Sequence, residues 1–194
     1  MAVSLAARGH DVTLAFLPYA DWQNDLNRFD LRRQNVYARK VLALAEPLIK
    51  VVSFVNARAP YMPLPDDLTQ AVRQVSHYDT QYTLQAEEVD INGEIYRLRL
   101  DRNREAAQAA LAYLRGNRPD VVIVPNGTIQ ELGVVYRVAR SLKIQTVTYE
   151  FGDQRQRIWL AQNSEVMRQE TDGLWRANRE KPLTEVQLEK MKSL

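Results

Sequence analysis

The chain has 194 residues, of which 45% are hydrophobic and 26% charged, with a formal net charge of +2. This is ordinary globular usage, long enough for one sizeable core and too balanced for a disordered tail. Zero cysteines and two histidines, His10 and His77, exclude disulfides and Cys-ligated zinc and leave too few ligands for a multi-histidine metal site.

Basic and acidic residues number seven against five over 1–50, four against seven over 51–100, and fifteen against twelve over 101–194. No stretch clusters Lys and Arg as a nucleic-acid footprint requires, so no nucleic-acid partner is expected. No apolar run approaches the length of a membrane span. Arg8, His10 and Asp11 interrupt the first apolar stretch, which is not the pattern of a signal peptide. The seven glycines stand at 9, 93, 116, 127, 133, 152 and 173. That scatter excludes both G-x-G-x-x-G and the P-loop, which need clustered glycines for the backbone to approach phosphates.

In chain order, Met1–Arg8 reads as the end of a helix stopped at Gly9. Val12–Leu17 is a short, nearly continuous apolar run, the pattern of a strand covered on both faces, and Pro18 ends it. From Asp21, placed as N-cap, Trp22, Leu26 and Phe29 recur at helical spacing. Tyr37, Val41, Leu44 and Leu48 repeat that spacing up to the neighbourhood of Pro47. Ile49–Val55 is the next strand, and the three prolines of Ala59–Pro65 make a stiff loop. Asp66 or Asp67 caps a helix expected to run to about His77.

Within Val89–Leu100, Asn92-Gly93 between apolar residues gives the two-residue hairpin signal. Asp101 or Asn103 then starts an alanine-rich helix with a stripe of Ala106, Ala107, Ala110, Leu111 and Leu114, stopped by Gly116 and Pro119. Val121–Val124 and Ile144–Tyr149 read as strands around a helix at Ile129–Leu142. Beyond Gly152 a helical segment is expected to about Asn178, and Thr184 with Gln187 makes a capping box for a last helix.

Such alternation predicts an α/β fold, a parallel sheet with helices on both faces. Ligands of these sheets lie outside the carboxyl ends of the strands, which selects Leu17–Trp22, Val55–Leu64, Pro125–Thr128 and Glu150–Asp153. A doubly wound sheet opens with a central strand, whereas this chain opens inside what is expected to be the first helix. Either a strand is expected before Met1, or another segment supplies it.

Three stretches resemble the N-terminal lobe of GT-B glycosyltransferases, in the glycosyltransferase family 4-like group. They are L-A-A-R-G-H-D-V-T-L (5–14), R-P-D-V-V-I-V-P-N-G (118–127) and T-V-T-Y-E-F-G-D (146–153). The resemblance implies one Rossmann-like, acceptor-side lobe over residues 1–194 that lacks its first strand, with a helical extension from about 154. It implies a cytoplasmic hexosyltransferase of carbohydrate biosynthesis, with a sugar or lipid-linked acceptor. The nucleotide-sugar donor would bind only through a C-terminal lobe, so turnover by this lobe alone is not expected. No cofactor and no metal are implied. The rival expectation is a freestanding Rossmann-like binding or interaction module without catalysis.

Catalytic residues are left open, with Glu150 and Asp153 as the candidates: a carboxylate at a strand end can take a proton from an acceptor hydroxyl. Their structural alternatives are pairing of Glu150 with Arg155 or Arg157 and helix capping by Asp153. Arg155 and Arg157 either hold an anionic group or lie on a solvated face. Acceptor contacts are expected from Tyr19, Asp21, Asn126, Gly127, Thr128, Phe151 and Gly152, with Thr128 also able to cap the following helix. Trp22 divides between sugar stacking and core packing. Tyr61 and Met62 in the proline-rich loop are the residues for acceptor or peripheral lipid contact. His10 sits at a helix-to-strand turn away from the ligand edge and is expected to be structural, and His77 is expected to face solvent at a helix end.

Overall fold

The computed structural model describes residues 1–17, 28–53, 63–152, 157–169 and 171–193. A short helix α1 (Ala2–Ala6) ends as Gly9 takes a left-handed φ of 88° and leads into strand β1 (Thr13–Phe16). Helix α2 (Arg28–Ala43) crosses over to β2 (Lys50–Ser53), which pairs with β1 in parallel from Thr13↔Lys50 to Phe16↔Ser53. Leu44 and Leu48, expected to continue the α2 stripe, lie beyond its end in a run of turns and are exposed.

Helix α3 (Asp66–Leu84) begins at Asp66, one of its two expected caps, and runs a further two turns past His77. Pro65 occupies the N-cap, and its carbonyl accepts the Thr69 amide at 2.8 Å. Asp66 and Asp67 fall instead in the first turn, where their charge complements the positive end of the helix dipole.

The expected hairpin at Asn92-Gly93 is absent. Asp90 Oδ1 accepts the Asn92 amide at 2.9 Å and the Asp90 carbonyl accepts that of Gly93 at 3.0 Å, closing a turn that opens directly into α4 (Glu94–Asn117). Asn-Gly favours a tight turn whatever follows it, and here the following residues carry a helical burial pattern. Tyr96, Arg99, Asn103, Ala106, Ala107, Ala110, Leu111 and Leu114 are all buried on one face. Two polar residues in that stripe hid it from hydrophobic periodicity. The helix stops at Arg118, which takes φ 38° ahead of Pro119, while Gly116 stays inside the last turn.

Strand β3 (Val121–Pro125), helix α5 (Gln130–Ser141) and strand β4 (Gln145–Phe151) form a second parallel β–α–β unit, in register from Val121↔Gln145 to Pro125↔Tyr149. The segment after Gly152, expected to be helical, instead supplies β5 (Ile158–Gln162), antiparallel to β4 from Phe151↔Ile158 to Val147↔Gln162. A four-residue apolar run, Ile158–Ala161, does not distinguish helix from strand by period, and its pairing with β4 decides. A single 3₁₀ turn (Val166–Arg168) follows, then α6 (Asp172–Asn178) and α7 (Glu185–Lys192). The capping box is as expected: the Gln187 amide donates to Thr184 Oγ1 and the Thr184 amide to Gln187 Oε1.

The molecule is thus α/β, built on two parallel β–α–β units. In place of one continuous parallel sheet, the described strands form a two-stranded sheet, β1–β2, and a mixed three-stranded sheet, β3–β4–β5. The core joins α3, α4 and α5 to one face of the latter. Leu68, Val72 and Val75 meet the alanine stripe, Leu111 and Leu114 of α4, and Val134, Val138 and Ala139 of α5. Alanines at the crossing let the helices approach closely. Val124 and Val122 carry the packing to the sheet.

On the opposite sheet face Val121, Ile123, Phe151, Ile158 and Leu160 are exposed. The described residues therefore do not show the helix layer expected there.

The candidate site at the carboxyl ends of β3 and β4

Parallel pairing of β3 with β4 brings the ends of two strands to one edge. Asn126 and Gly127 leave β3 with left-handed φ values of 57° and 83°, which asparagine and glycine tolerate best. At Gly127 the requirement is also steric: a Cβ there would lie 2.6 Å from Thr148 Cγ2. The turn is closed by the Asn126 side chain, whose Oδ1 accepts the Thr128 amide at 3.0 Å.

The same side chain links the two strands. Its Nδ2 donates to Glu150 Oε2 at 3.2 Å, and its main-chain amide donates to the Tyr149 carbonyl at 2.8 Å. Glu150 Oε1 in turn accepts the Phe151 amide at 3.2 Å. Both carboxylate oxygens are thereby fixed, and Glu150 remains only half-buried. This arrangement suits a hydrogen-bond acceptor held ready for a ligand hydroxyl.

The structure brings together Asn126, Gly127, Thr128, Glu150 and Gly152. It separates Phe151 from them: strand alternation turns that ring to the opposite face, where it meets Tyr149 edge-on at 5.8 Å between centroids. Among the described residues Glu150 pairs with Asn126 rather than with Arg157, which is exposed. Thr128 does not cap α5. Ile129 holds that position with no side-chain cap, and Thr128 stands one residue too early. Its Oγ1 is buried with no hydrogen-bond partner among the described residues. Tyr19, Asp21, Trp22, Tyr61, Met62, Asp153 and Arg155 lie outside the described residues.

Two glycines and an aromatic complete the geometry. Gly133, inside α5, lets the helix press on the loop, since a Cβ there would lie 2.7 Å from the Thr128 carbonyl group. At Gly152 a Cβ would lie 2.5 Å from Trp159 Nε1, so the indole rests against bare backbone. Trp159 pairs directly with Glu150 across the β4–β5 ladder. Sequence reasoning missed Trp159 because its place depends on that ladder, and an antiparallel partner for β4 was not expected.

A second polar cluster lies buried between α3, α4 and α5. Arg99 Nη1 pairs with Asp79 at 3.3 Å, Arg102 Nε with Glu131 at 3.0 Å, and Asn103 Nδ2 donates to Ser76 Oγ at 3.0 Å. Burial pushes the Asp79 carboxyl up to about 6, with Glu131 adding to the rise and Arg99 opposing it. Burial also raises Glu131 against its own backbone bond and Arg102. Asp79 is fully buried, so no ligand reaches it in this state, and its chemistry is that of the fold.

His10 is exposed at the turn into β1, where its amide donates to the Leu5 carbonyl at 3.3 Å. His77 lies mid-helix and half-buried, bordering with Tyr96 an open depression of about 550 Å³ on α3 and α4. Among the described residues no three His, Asp or Glu side chains gather as a metal site, and no helix is long and apolar enough to cross a membrane. No protein-family model, no curated protein and no solved structure matches this chain.

Proposed function

We propose that this chain is the acceptor-binding, Rossmann-like N-terminal lobe of a GT-B glycosyltransferase of the family 4-like group. The observation that carries the reading is the meeting of Asn126-Gly127-Thr128 with Glu150 and Gly152 at the carboxyl ends of adjacent parallel strands, where doubly wound sheets take their ligands. A pinned carboxylate and an amide suit the hydroxyls of a sugar acceptor. In this reading the lobe works by positioning the acceptor, and the nucleotide-sugar would be bound by a second lobe.

The distribution of apolar surface supports a lobe over a freestanding module. The bare face of β3–β4–β5 and the exposed Phe29, Val36, Tyr37 and Val41 of α2 are surfaces that a neighbouring element would cover. The split between the sheets has the same sense. Among the described residues β1 and β3 are each paired along one edge only, and the central first strand of a doubly wound sheet would stand between them.

Amide NMR of the chain titrated with sugar acceptors tests the reading. Shifts are expected at Asn126, Gly127, Thr128 and Gly152, while UDP- or GDP-sugar alone leaves the spectrum and the melting temperature unchanged. Binding of nucleotide-sugar without any response to sugar acceptors would overturn it.

A further inference from the structure

We propose that Trp159 is the platform on which a neutral pyranose stacks at this site, with Glu150 and Asn126 as its hydroxyl partners; the inference rests on the acceptor-lobe reading and adds a residue and a ligand class to it. Four positions converge at this edge. Val122 and Val124 face the helices, and Asn126, just past the end of β3, meets Glu150 through its Nδ2. Thr148 pairs with Val124, so Glu150 and Gly152 follow on that side too. Trp159 lies directly opposite Glu150, at a spacing that puts cross-strand side chains in contact range.

The indole is held by its edge and open on its surface. Its Nε1 and Cδ1 lie where a Cβ of residue 152 would come within 2.5 and 2.9 Å, so glycine at that position is what seats the ring. Yet Trp159 remains 47% exposed. A half-exposed indole seated against glycine backbone beside a fixed carboxylate offers an apolar surface and hydrogen-bond acceptors side by side.

Pyranose chemistry matches both parts. The C–H groups on one ring face carry partial positive charge and lie well on the negative π-face of an indole. Equatorial hydroxyls at the ring rim donate to Glu150, whose oxygens are already oriented by Asn126 Nδ2 and the Phe151 amide. The negative charge of Glu150 disfavours a phosphate at the same place, which makes the ligand a neutral sugar ring rather than a nucleotide or a sugar phosphate.

The test uses the full 194-residue chain and its three tryptophan indole N–H signals, titrated with glucose, galactose, mannose and N-acetylglucosamine. One or more of these sugars is expected to shift the Trp159 indole signal together with the Asn126 and Gly152 amides. Trp159→Ala is expected to weaken that binding by about tenfold or more, and Trp159→Phe by less. Gly152→Ala, which displaces the indole without removing it, should weaken binding as Trp159→Ala does, and Trp175→Ala should leave it unchanged. Trp159→Phe keeps an aromatic strand residue, so the comparison survives if the alanine variant fails to fold. A sugar that shifts Asn126 and Gly152 equally in wild type, Trp159→Ala and Trp159→Phe would overturn the platform and leave the acceptor reading standing. If no sugar shifts any signal at this edge, both fall.

Discussion

The half built on α3, α4, α5 and β3–β4 and the half built on β1, α2 and β2 use similar residue types to opposite ends. In the first, Val75, Ala107, Ala110 and Val138 are fully buried in one continuous cluster. In the second, α2 presents Phe29 and Tyr37 at 69% and 71% exposure, and no residue of α1 or β1 is fully buried. Hydrophobic periodicity marks a face that must be covered and says nothing of what covers it. In the sealed half the cover comes from the chain itself.

That contrast can be broken most directly by truncation. Leu111→Ala in the sealed half should cost about 2–5 kcal/mol, whereas Leu44→Ala in the open half should change stability by less than about 0.5 kcal/mol. Urea unfolding of the two variants checks this, and similar losses would show that Leu44 is covered in solution.

A proton sharpens the comparison next. The Asp79 carboxyl is raised from 3.8 to about 6 in the folded state, so the native form binds a proton more tightly than the unfolded form. Its contribution is fully present below pH ~4 and is lost as pH rises through about 6. Stability should therefore gain on the order of 2 kcal/mol from this group between pH 7.5 and about 4. Asp79→Asn should flatten that slope in pH-dependent urea melts, even though it leaves Arg99 with a poorer partner. An unchanged slope would remove Asp79 as its source.

Gly127→Ala should cost about 1–2 kcal/mol, because the new methyl meets Thr148 and a positive φ disfavours alanine. The loss should register in the Asn126 and Glu150 resonances before it registers in those of α3. Smallest is Thr184→Ala. Loss of the capping box should cost α7 about 0.5–1 kcal/mol, seen as a small fall in helical circular dichroism with an unchanged main melting transition, since α7 buries no residue.

Legibility in the sequence followed the same division. Strands β1 to β4, the alanine stripe and the Thr184 box were readable because each announces itself within a few neighbouring residues. The first two turns of α4 were not, since Arg99 and Asn103 sit on its buried face and their partners Asp79 and Ser76 come from a distant helix. The candidate site was half readable. The carboxyl-end rule selected Asn126, Gly127, Thr128, Glu150 and Gly152, whereas it also selected Phe151, which strand alternation carries to the other face. Trp159 and Gly133 gain meaning only through contacts across the fold, and sequence spacing holds no trace of those.

Asn163 and Thr148 have a consequence for how this chain tolerates insertions and deletions. Asn163 Oδ1 accepts the Thr146 amide at 3.0 Å, and Thr148 Oγ1 donates to the Ser164 carbonyl and accepts the Val166 amide, each at 2.8 Å. These clasps pin the far end of β5. A residue gained or lost inside Ile158–Gln162 would turn every side chain before it to the other face. Trp159 would leave Glu150, and Ile158 or Leu160 would take its place. Length changes should therefore be rarer in those five positions than in the loops that flank the strand.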